Sequence, residues 1–346
     1  MIAIDFFCGA GGLTKGLTQA GINVLLGIDS DPNCKATYEY NNLLSRFLLS
    51  DISTMDTGKL EQYIRDQDSS KILFAACAPC QPFTKLNNKK KRGKPSLLLG
   101  AFNRFILAYQ PGYILIENVP GIAKVPGNST FRRLLNQIDQ IGYKYSIGVL
   151  DAKNYGVPQT RRRLILIAAK QTTPNIPFPT HGSGLLPYRT VKDAIEHFPP
   201  ILAGETHSSV SNHRSSELSV INLTRINLTP KDGGDRRSWP NELWLDCHNN
   251  GHSGHTDVYG RMWWDRPSPS ITCRCDSLSN GRFGHPEQSR AISLREAASL
   301  QGFPDDYIFL GDTKLSIASQ IGNAIPVPLA EILGKHILQI DKNIRS

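Results

Sequence analysis

The sequence predicts an α/β fold with a doubly wound, mostly parallel sheet and a second, smaller domain that is rich in loops. In the first half of the chain, short apolar runs alternate with helical segments, the βαβ rhythm of such a sheet. From about Gly182 to Gly281 this rhythm fails, and Gly, Pro, Ser, Asn and His dominate. A length of 346 residues also exceeds the size of most single cores. We therefore expect two domains.

Local patterns predict each regular element in turn. Asp31-Pro32 indicates a helix start, because Asp caps a helix and Pro suits its first position. Near the end of the chain, a helix from Pro328 would set Leu329, Ile332, Leu333 and Ile337 on one face. The predicted strands are Ile2–Phe6, Ile22–Ile28, Ile72–Ala76, Tyr113–Ile116, Tyr145–Leu150 and Leu164–Ala169, and further helices are predicted at Gly12–Ala20 and Ser293–Leu300.

Composition narrows the class of protein. Seven cysteines, an odd number without a regular framework, argue against a disulfide scaffold and for a reducing compartment. Asp5 interrupts the N-terminal apolar run, and no apolar run approaches the length of a membrane span. We expect a cytoplasmic protein with no membrane partner.

The net charge of +9 is concentrated in the first half of the chain. Residues 1–182 carry +10, residues 183–285 are neutral, and residues 286–346 carry −1. The excess is greatest in a stretch without acids that contains Lys85, Lys89, Lys90, Lys91, Arg92 and Lys94. This stretch is either a solvated loop or a contact with the phosphates of a polyanionic substrate.

A glycine-rich turn follows the first predicted strand. Gly9, Gly11 and Gly12 would let a cofactor approach the backbone, and Asp29 ends the second strand, where an acid commonly holds ribose hydroxyls. Thr14 stands where the dinucleotide fingerprint has its third glycine, which weakens a nicotinamide or flavin interpretation. An adenosine-containing cofactor is the expectation.

Two further residues fit a cationic cofactor without phosphate. Phe7 could face a sulfonium cation, and Asp51 could accept a hydrogen bond from an adenine amino group. Phe7 could equally belong to the core, and Asp51 could be a turn or cap residue.

Cys80 follows the apolar run Ile72–Ala76 within Pro79-Cys80-Gln81-Pro82. A thiol at the carboxyl end of a parallel strand is a candidate nucleophile, although a free cysteine often only packs. Glu117 follows the next predicted strand, so it would lie at the same edge of the sheet. Such a carboxylate suits proton sharing, or a structural ion pair with Arg161 or Arg163. By alternation those two arginines would share one face, which could bind a carbonyl oxygen or a phosphate.

The loop-rich region contains four tryptophans, which could stack on DNA, and two groups of Cys and His residues, which could bind metal. Trp239, Trp244, Trp263 and Trp264 are more typical of core packing than of stacking on DNA. Asp246-Cys247-His248 with His252 and His255, and Cys273-Arg274-Cys275, could suggest zinc. Neither group has a paired Cys-x2-Cys, so we expect no metal.

The chain resembles the DNA (cytosine-5)-methyltransferases of the compact bacterial type over almost its whole length. The matching blocks, in the family's order, are Asp5-Phe6-Phe7-Cys8-Gly9-Ala10-Gly11-Gly12, Asp29-Ser30-Asp31, Asp51-Ile52, Pro79-Cys80-Gln81-Pro82-Phe83, Glu117-Asn118-Val119, Gln159-Thr160-Arg161-Arg162-Arg163, the run from Arg295 to Pro304, and Gln320-Ile321-Gly322-Asn323-Ala324.

The resemblance implies a Rossmann-like methyltransferase fold, S-adenosylmethionine as cofactor, S-adenosylhomocysteine as product, and double-stranded DNA as substrate. Cys80 would add to C6 of a flipped cytosine while Glu117 engages N3 and the exocyclic amine. Arg163, with Arg161, would hold the base's O2 or a phosphate. The implied cofactor residues are Phe7, Gly9, Gly11, Gly12, Asp29, Ser30, Asp51, Ile52, Pro79, Leu98 and Asn323. The implied DNA contacts are Gln81, Lys85, Lys89, Lys90, Lys91, Arg92 and Gln159.

The resemblance also implies a domain plan. Residues 1–182 would form the catalytic and cofactor-binding domain, residues 183–305 the target-recognition domain, and residues 306–346 a segment returning to the catalytic domain. We expect a monomer, with a restriction endonuclease for the same site as a candidate partner. One departure concerns the loop after Cys80, where Pro95 replaces an arginine common in the family.

Three other functions use the same features. One is methylation of cytosine in RNA by the same chemistry, and another is DNA binding without catalysis. A nicotinamide oxidoreductase is the third, and Thr14 disfavours it.

Overall fold

The computed structural model describes residues 1–78, 94–124, 130–246 and 257–345. It divides into two compact units. The sheet unit comprises Met1–Asp151, Arg162–Pro179 and Ile325–Ser346, and the second unit comprises Ala152–Arg161 and Thr180–Ala324. These limits differ from the predicted ones: residues 152–161 join the second unit, and the return to the sheet unit begins at Ile325 instead of residue 306.

The sheet unit contains a seven-stranded sheet of order β3-β2-β1-β4-β5-β7-β6. Strands β1 to β5 are parallel, whereas β7 pairs antiparallel with both β5 and β6. The strands are β1 Ile2–Phe6, β2 Asn23–Asp29, β3 Arg46–Leu49, β4 Ile72–Ala76, β5 Tyr113–Asn118, β6 Lys144–Asp151 and β7 Arg162–Ala169. The predicted α/β class and mostly parallel sheet are confirmed.

Helices of the sheet unit cover a core of almost fully buried apolar side chains. Phe6, Phe74, Phe102 and Phe105 are completely buried, and the ring of Phe6 contacts the other three. The helices are α1 Gly12–Gln19, α2 Pro32–Asn41, α3 Glu61–Ile64, α4 Lys94–Tyr109, α5 Thr130–Gln140 and, at the end of the chain, α10 Val327–Arg345.

Helices α1 and α10 approach each other closely through glycine. A Cβ placed on Gly16 would lie 2.4 Å from Cβ of Ala330 and 2.7 Å from the carbonyl oxygen of Val327. Gly334 makes the reciprocal approach, because its Cβ would lie 2.7 Å from Cβ of Ala20. The C-terminal helix is thus packed tightly on the helix that follows the glycine-rich turn.

The second unit has short helices and contains both an apolar cluster around Trp239 and buried ionic groups. Its helices are α6 Val191–Ile195, α7 Val220–Leu228, α8 Leu294–Leu300 and α9 Lys314–Asn323. A buried bidentate ion pair joins Arg290 to Glu296, with N–O distances of 2.7 Å. Glu296 also completes a capping box with Ser293 at the start of α8. Short 3-10 turns in the two units lie at Thr57–Leu60, Ser69–Lys71, Pro120–Lys124, Ala152–Tyr155, Arg236–Ser238, Asn241–Leu243 and Leu278–Asn280.

Two observations concern membrane-spanning helices and metal sites. Among the helices of the described residues, none is both long and apolar enough to cross a bilayer. Within the same residues, no group of three His, Cys, Asp or Glu side chains is placed to hold a metal ion. Cys247, His248, His252 and His255 lie outside the described residues.

Candidate active site

The carboxyl ends of four parallel strands meet at one edge of the sheet. Phe6 lies opposite Ile28 of β2 and Ala76 of β4, and Ala76 lies opposite Ile116 of β5. Gly9, Asp29 and Glu117 therefore belong to the same edge, as the order of strands predicts.

The glycine-rich turn is held by Asp29. The backbone N–H of Gly9 donates to Oδ2 of Asp29 at 2.8 Å, and the N–H of Asp31 donates to Oδ1 at 2.9 Å. Burial raises the pKa of Asp29, and the backbone hydrogen bonds oppose that rise. A carboxylate has about four lone-pair sites, so these two bonds leave acceptor capacity for hydroxyl groups.

The backbone of this turn leaves open space beside it. Gly9 and Gly11 have φ of +50° and +89°, and a Cβ on Gly9 would meet no atom within 4 Å. Phe7 also has a positive φ, +61°, and its half-buried ring packs against the core. Gly12 is the first residue of α1. The turn is thus uncrowded beside Gly9, and the contact of Asp29 with a cofactor ribose stays a prediction.

Thr14 explains why the dinucleotide fingerprint is broken. Its hydroxyl donates to Asp5 at 2.7 Å and lies 2.9 Å from the hydroxyl of Tyr38, which lies 2.7 Å from that of Ser45. Burial raises the pKa of Asp5 to about 7. The side chain at position 14 therefore belongs to a buried network beneath the turn, where a glycine would leave Asp5 without this donor.

A second loop at the sheet edge carries Asp51 and Ile52. Asp51 accepts the N–H of Ser53 at 2.8 Å, so it is a turn residue, and Ile52 is buried. Nη2 of Arg104, on α4, donates to the carbonyl oxygens of Ile52, Ser53 and Met55 at 2.7, 3.3 and 3.3 Å. Leu98, half-buried, belongs to the same helix. Arg104 was not among the predicted site residues, because the sequence around an arginine in an amphipathic helix does not indicate acceptors that lie far away along the chain.

Glu117 lies on β5 and pairs with Arg163 of β7. The distance from Nε of Arg163 to Oε1 of Glu117 is 2.6 Å, and the side chains are 16% and 10% exposed. Nη1 of Arg163 donates to the carbonyl oxygen of Arg162 at 2.8 Å. The ion pair that was one interpretation of Glu117 is therefore present, and its partner is Arg163.

Arg161 does not share the face of Arg163. Its Nη1 donates to the carbonyl oxygen of Ile271 at 2.8 Å, and its Nη2 donates to those of Gly322 and Ala324 at 3.0 and 3.2 Å. Strand β7 begins only at Arg162, so strand alternation does not apply to Arg161. The expectation that both arginines act on one substrate is corrected: Arg161 is buried in the second unit and holds backbone there.

The expectation that Gln159 contacts DNA is also corrected. Gln159 is completely buried, its Nε2 donates to Oε1 of Gln301 at 2.9 Å, and its Oε1 accepts the N–H of Ile271 at 2.9 Å. A side chain so enclosed and hydrogen-bonded is not available to DNA.

Asn323 ends α9 in the second unit, and its Oδ1 accepts the thiol of Cys273 at 3.1 Å. Ser30 is exposed directly after β2. The cofactor contacts expected of both residues stay predictions. Of the four tryptophans, Trp239 is confirmed as a core residue, since it is 5% exposed and its Nε1 donates to Oγ1 of Thr229 at 2.9 Å.

Before the expected nucleophile, Cys80, the described residues end at Ala78. Nδ2 of Asn118, beside Glu117, donates to the carbonyl oxygen of Ala78 at 3.2 Å, which ties the segment before Cys80 to β5. Helix α4 includes Pro95. The residues expected in this loop that lie outside the described ones are Pro79, Cys80, Gln81, Lys85, Lys89, Lys90, Lys91 and Arg92.

Comparison with known proteins gives consistent matches. Residues 1–339 match the model of the family described as C-5 cytosine-specific DNA methylase. The chain is 43% identical over 339 residues to the Type II methylase M.HgiDII of Herpetosiphon aurantiacus, with 96% of this chain and 94% of the relative covered. It is 33% identical over 344 residues to the Type II methyltransferase M1.HphI of Haemophilus parahaemolyticus, with coverages of 98% and 87%.

A solved structure has a similar fold. It is that of a prophage-encoded DNA modification methyltransferase of E. coli, with a TM-score of 0.75 over 99% of each chain. The two sequences are 22% identical, so this likeness concerns the fold alone.

Proposed function

The chain belongs to the C-5 cytosine-specific DNA methylase family and is a DNA (cytosine-5)-methyltransferase, and we propose that it methylates C5 of one cytosine within a specific double-stranded sequence through a transient bond between Cys80 and C6. The observation that carries this proposal is the pair of Glu117 and Arg163 at the edge of the sheet from which Cys80 follows.

Glu117 and Arg163 suit neighbouring groups on the Watson–Crick edge of a cytosine ring, where the exocyclic amine, N3 and O2 lie side by side. The carboxyl group of Glu117 can hold N3 and the exocyclic amine, and the ring accepts charge more readily when N3 is protonated. Among the described residues, Nη2 of Arg163 has no hydrogen-bond partner, so it is available to the base's O2. Both groups are largely shielded from water, which strengthens their action on a bound base.

Cys80 supplies the nucleophile. Its thiolate adds to C6, and C5 becomes an enamine carbon that accepts the methyl group. Loss of the C5 proton and expulsion of the Cys80 thiolate then restore the aromatic ring. The base must leave the duplex for this reaction, at a cost of a few kcal/mol. The lysine-rich loop from Lys85 to Arg92 would contact the phosphates on either side.

S-adenosylmethionine fits the open space beside Gly9 and supplies an electrophilic methyl group when bound. Asp29 would hold the ribose, Phe7 would face the sulfonium, and Asp51 with Ile52 would meet the adenine, with Gly11, Gly12, Ser30, Pro79, Leu98 and Asn323 as further contacts. The Type II names of the relatives support a restriction endonuclease as cognate partner.

The test is covalent trapping. The protein is incubated with S-adenosylmethionine and duplex DNA that carries 5-fluorocytosine at scanned positions, because fluorine prevents the final proton loss. We expect an adduct that survives denaturing electrophoresis with the wild-type chain and none with Cys80→Ala. The positions that trap the enzyme also identify the recognition sequence. An adduct with Cys80→Ala, or no adduct on any duplex while the protein is folded, would refute the mechanism.

A further inference from the structure

A polar cleft of about 320 Å³ lies within the second unit. We call it the 274/314 cleft after its two cationic residues, Arg274 and Lys314. Three separate segments line it, residues 216–222, 274–279 and 314–315. Its donors include the hydroxyls of Ser277 and Ser279 and the amide of Asn222. The lining is mostly polar or charged, with two carboxylates, Glu217 and Asp276, beside the two cations.

The loop that carries Arg274 is anchored on its inner side. Arg161 donates to Ser270 at 3.3 Å and to the carbonyl oxygen of Ile271 at 2.8 Å. Gly322 lies against the next two residues, since a Cβ there would approach the Thr272–Cys273 backbone to 2.3 Å. Cys275 is completely buried. Residues on both sides of Arg274 are therefore fixed by packing and hydrogen bonds.

Arg274 itself is exposed, and in the described part of the chain its guanidinium makes no hydrogen bond or ion pair. Lys314 is fixed differently. Its Nζ donates to Oγ of Ser216 at 2.7 Å and lies 3.6 Å from Oδ2 of Asp276, which is buried and accepts from Ser216 at 2.9 Å. The exposed carboxylate of Glu217 also lines the cleft. Arg274 is thus an exposed cation on a backbone that is fixed on both sides, and Lys314 is a second cation, held in place by Ser216 and Asp276.

We infer that the 274/314 cleft holds one strand of the DNA sugar–phosphate backbone, with Arg274 on a phosphate and Lys314 beside it. This inference rests on the proposed function. The backbone is the convex part of a duplex and so is suited to a cleft, and arginine, lysine, serine and asparagine are the side chains that commonly contact it. Arg161 and Gly322 then act as positioning residues for a DNA contact.

The test compares salt dependence. Dissociation constants are measured from 50 to 200 mM salt for wild type and Arg274→Ala, on a duplex containing the mapped recognition site and on an unrelated duplex of equal length. Loss of one phosphate contact should lower the slope of log affinity against log salt by about 0.9. The advantage of wild type over the variant should then shrink about 3- to 4-fold across that range, equally on both duplexes.

The matched control is Arg237→Ala. Arg237 is an arginine of the same unit with 83% of its side chain exposed, but Asp235 binds it at 2.6 Å, so its removal changes net charge equally and should leave the slope unaltered. An unaltered slope in Arg274→Ala, an equal change in Arg237→Ala, or a loss confined to the recognition duplex would overturn the inference. The last result would make Arg274 a reader of bases. Failure of wild type to form the fluorocytosine adduct concerns the proposed function alone, because the slopes on the unrelated duplex are measured without a mapped site and still test the phosphate contact.

Discussion

Nε of Arg163 lies 2.6 Å from Oε1 of Glu117, across the antiparallel pair of strands β5 and β7. The arginine therefore reaches the carboxylate from the direction opposite to the parallel strands that carry the glycine-rich turn. An ion pair with such limited exposure fixes the orientation of both groups before a substrate binds.

Arg163→Ala should lower kcat about 100- to 1,000-fold, because one oriented donor to a reacting base is lost and Glu117 loses its partner. Methyl transfer from labelled S-adenosylmethionine at saturating DNA measures the effect. The matched control is Arg162→Ala, the exposed neighbour on the same strand, which should retain activity. Equal activity of Arg163→Ala and wild type would show that Arg163 is not a donor to the reacting base.

Arg104→Ala should weaken S-adenosylmethionine binding about 10-fold, because three carbonyl oxygens of the Ile52–Met55 loop lose one charged donor. Calorimetry measures the dissociation constant, and kcat at saturating cofactor should change little. Arg65→Ala, an arginine of the sheet unit with 71% of its side chain exposed, serves as control. A fall in kcat with unchanged cofactor affinity would contradict this role.

Glu296→Gln should destabilise the protein by about 3–5 kcal/mol, because it leaves the Arg290 guanidinium buried without its carboxylate. Urea unfolding at pH 7 measures the loss. Arg290 and the hydrogen bonds to Ser293 hold the pKa of Glu296 down at about 2 despite its burial, so the pair contributes at every pH above about 4.5. Arg345→Ala, which breaks a partly exposed pair with Asp341, should destabilise the protein much less.

Acid should destabilise the second unit through His285. Burial lowers the pKa of this imidazole from 6.5 to about 4, so the unfolded chain binds a proton more readily than the folded one. Stability should therefore fall as pH decreases from about 6.5 to about 4, and His285→Gln should flatten the dependence in that window. Unfolding midpoints at pH 7, 5.5 and 4.5 measure it. Burial also lowers the pKa of His213, so part of the pH dependence of stability should remain in His285→Gln. A pH dependence equal to that of wild type would show that His285 does not contribute.

Gly16→Ala should destabilise the protein by about 1–3 kcal/mol, because the added methyl meets backbone and Ala330 of helix α10. The free energy of unfolding in urea measures it. Gly100→Ala is the matched control: this glycine is also helical, but its Cβ would lie 3.6 Å from the nearest side chain. That variant should be neutral or stabilised by about 0.5–1 kcal/mol, and an equal loss in both variants would refute the packing argument.

The regular core of the fold was predictable because each strand and cap is encoded locally. Ile2–Phe6 and Ile72–Ala76 match the prediction, and the Asp31 cap accepts the N–H of Asn33 as expected. Strand β3 was missed, since a run of only four residues is too short to show a clear period. Gln159 and Arg161 were misplaced for a different reason: their partners lie more than 100 positions away, and no local pattern reveals such acceptors.

The chain passes four times between the two units, at residues 151/152, 161/162, 179/180 and 324/325. Neither unit is therefore a single continuous piece that can be cut out and exchanged. A chimera that replaced residues 180–324 alone would part Gln159 from Leu300 and Gln301, and Arg161 from Gly322 and Ala324. Exchanging the second unit with that of a relative consequently requires the ten-residue segment Ala152–Arg161 to be exchanged together with residues 180–324.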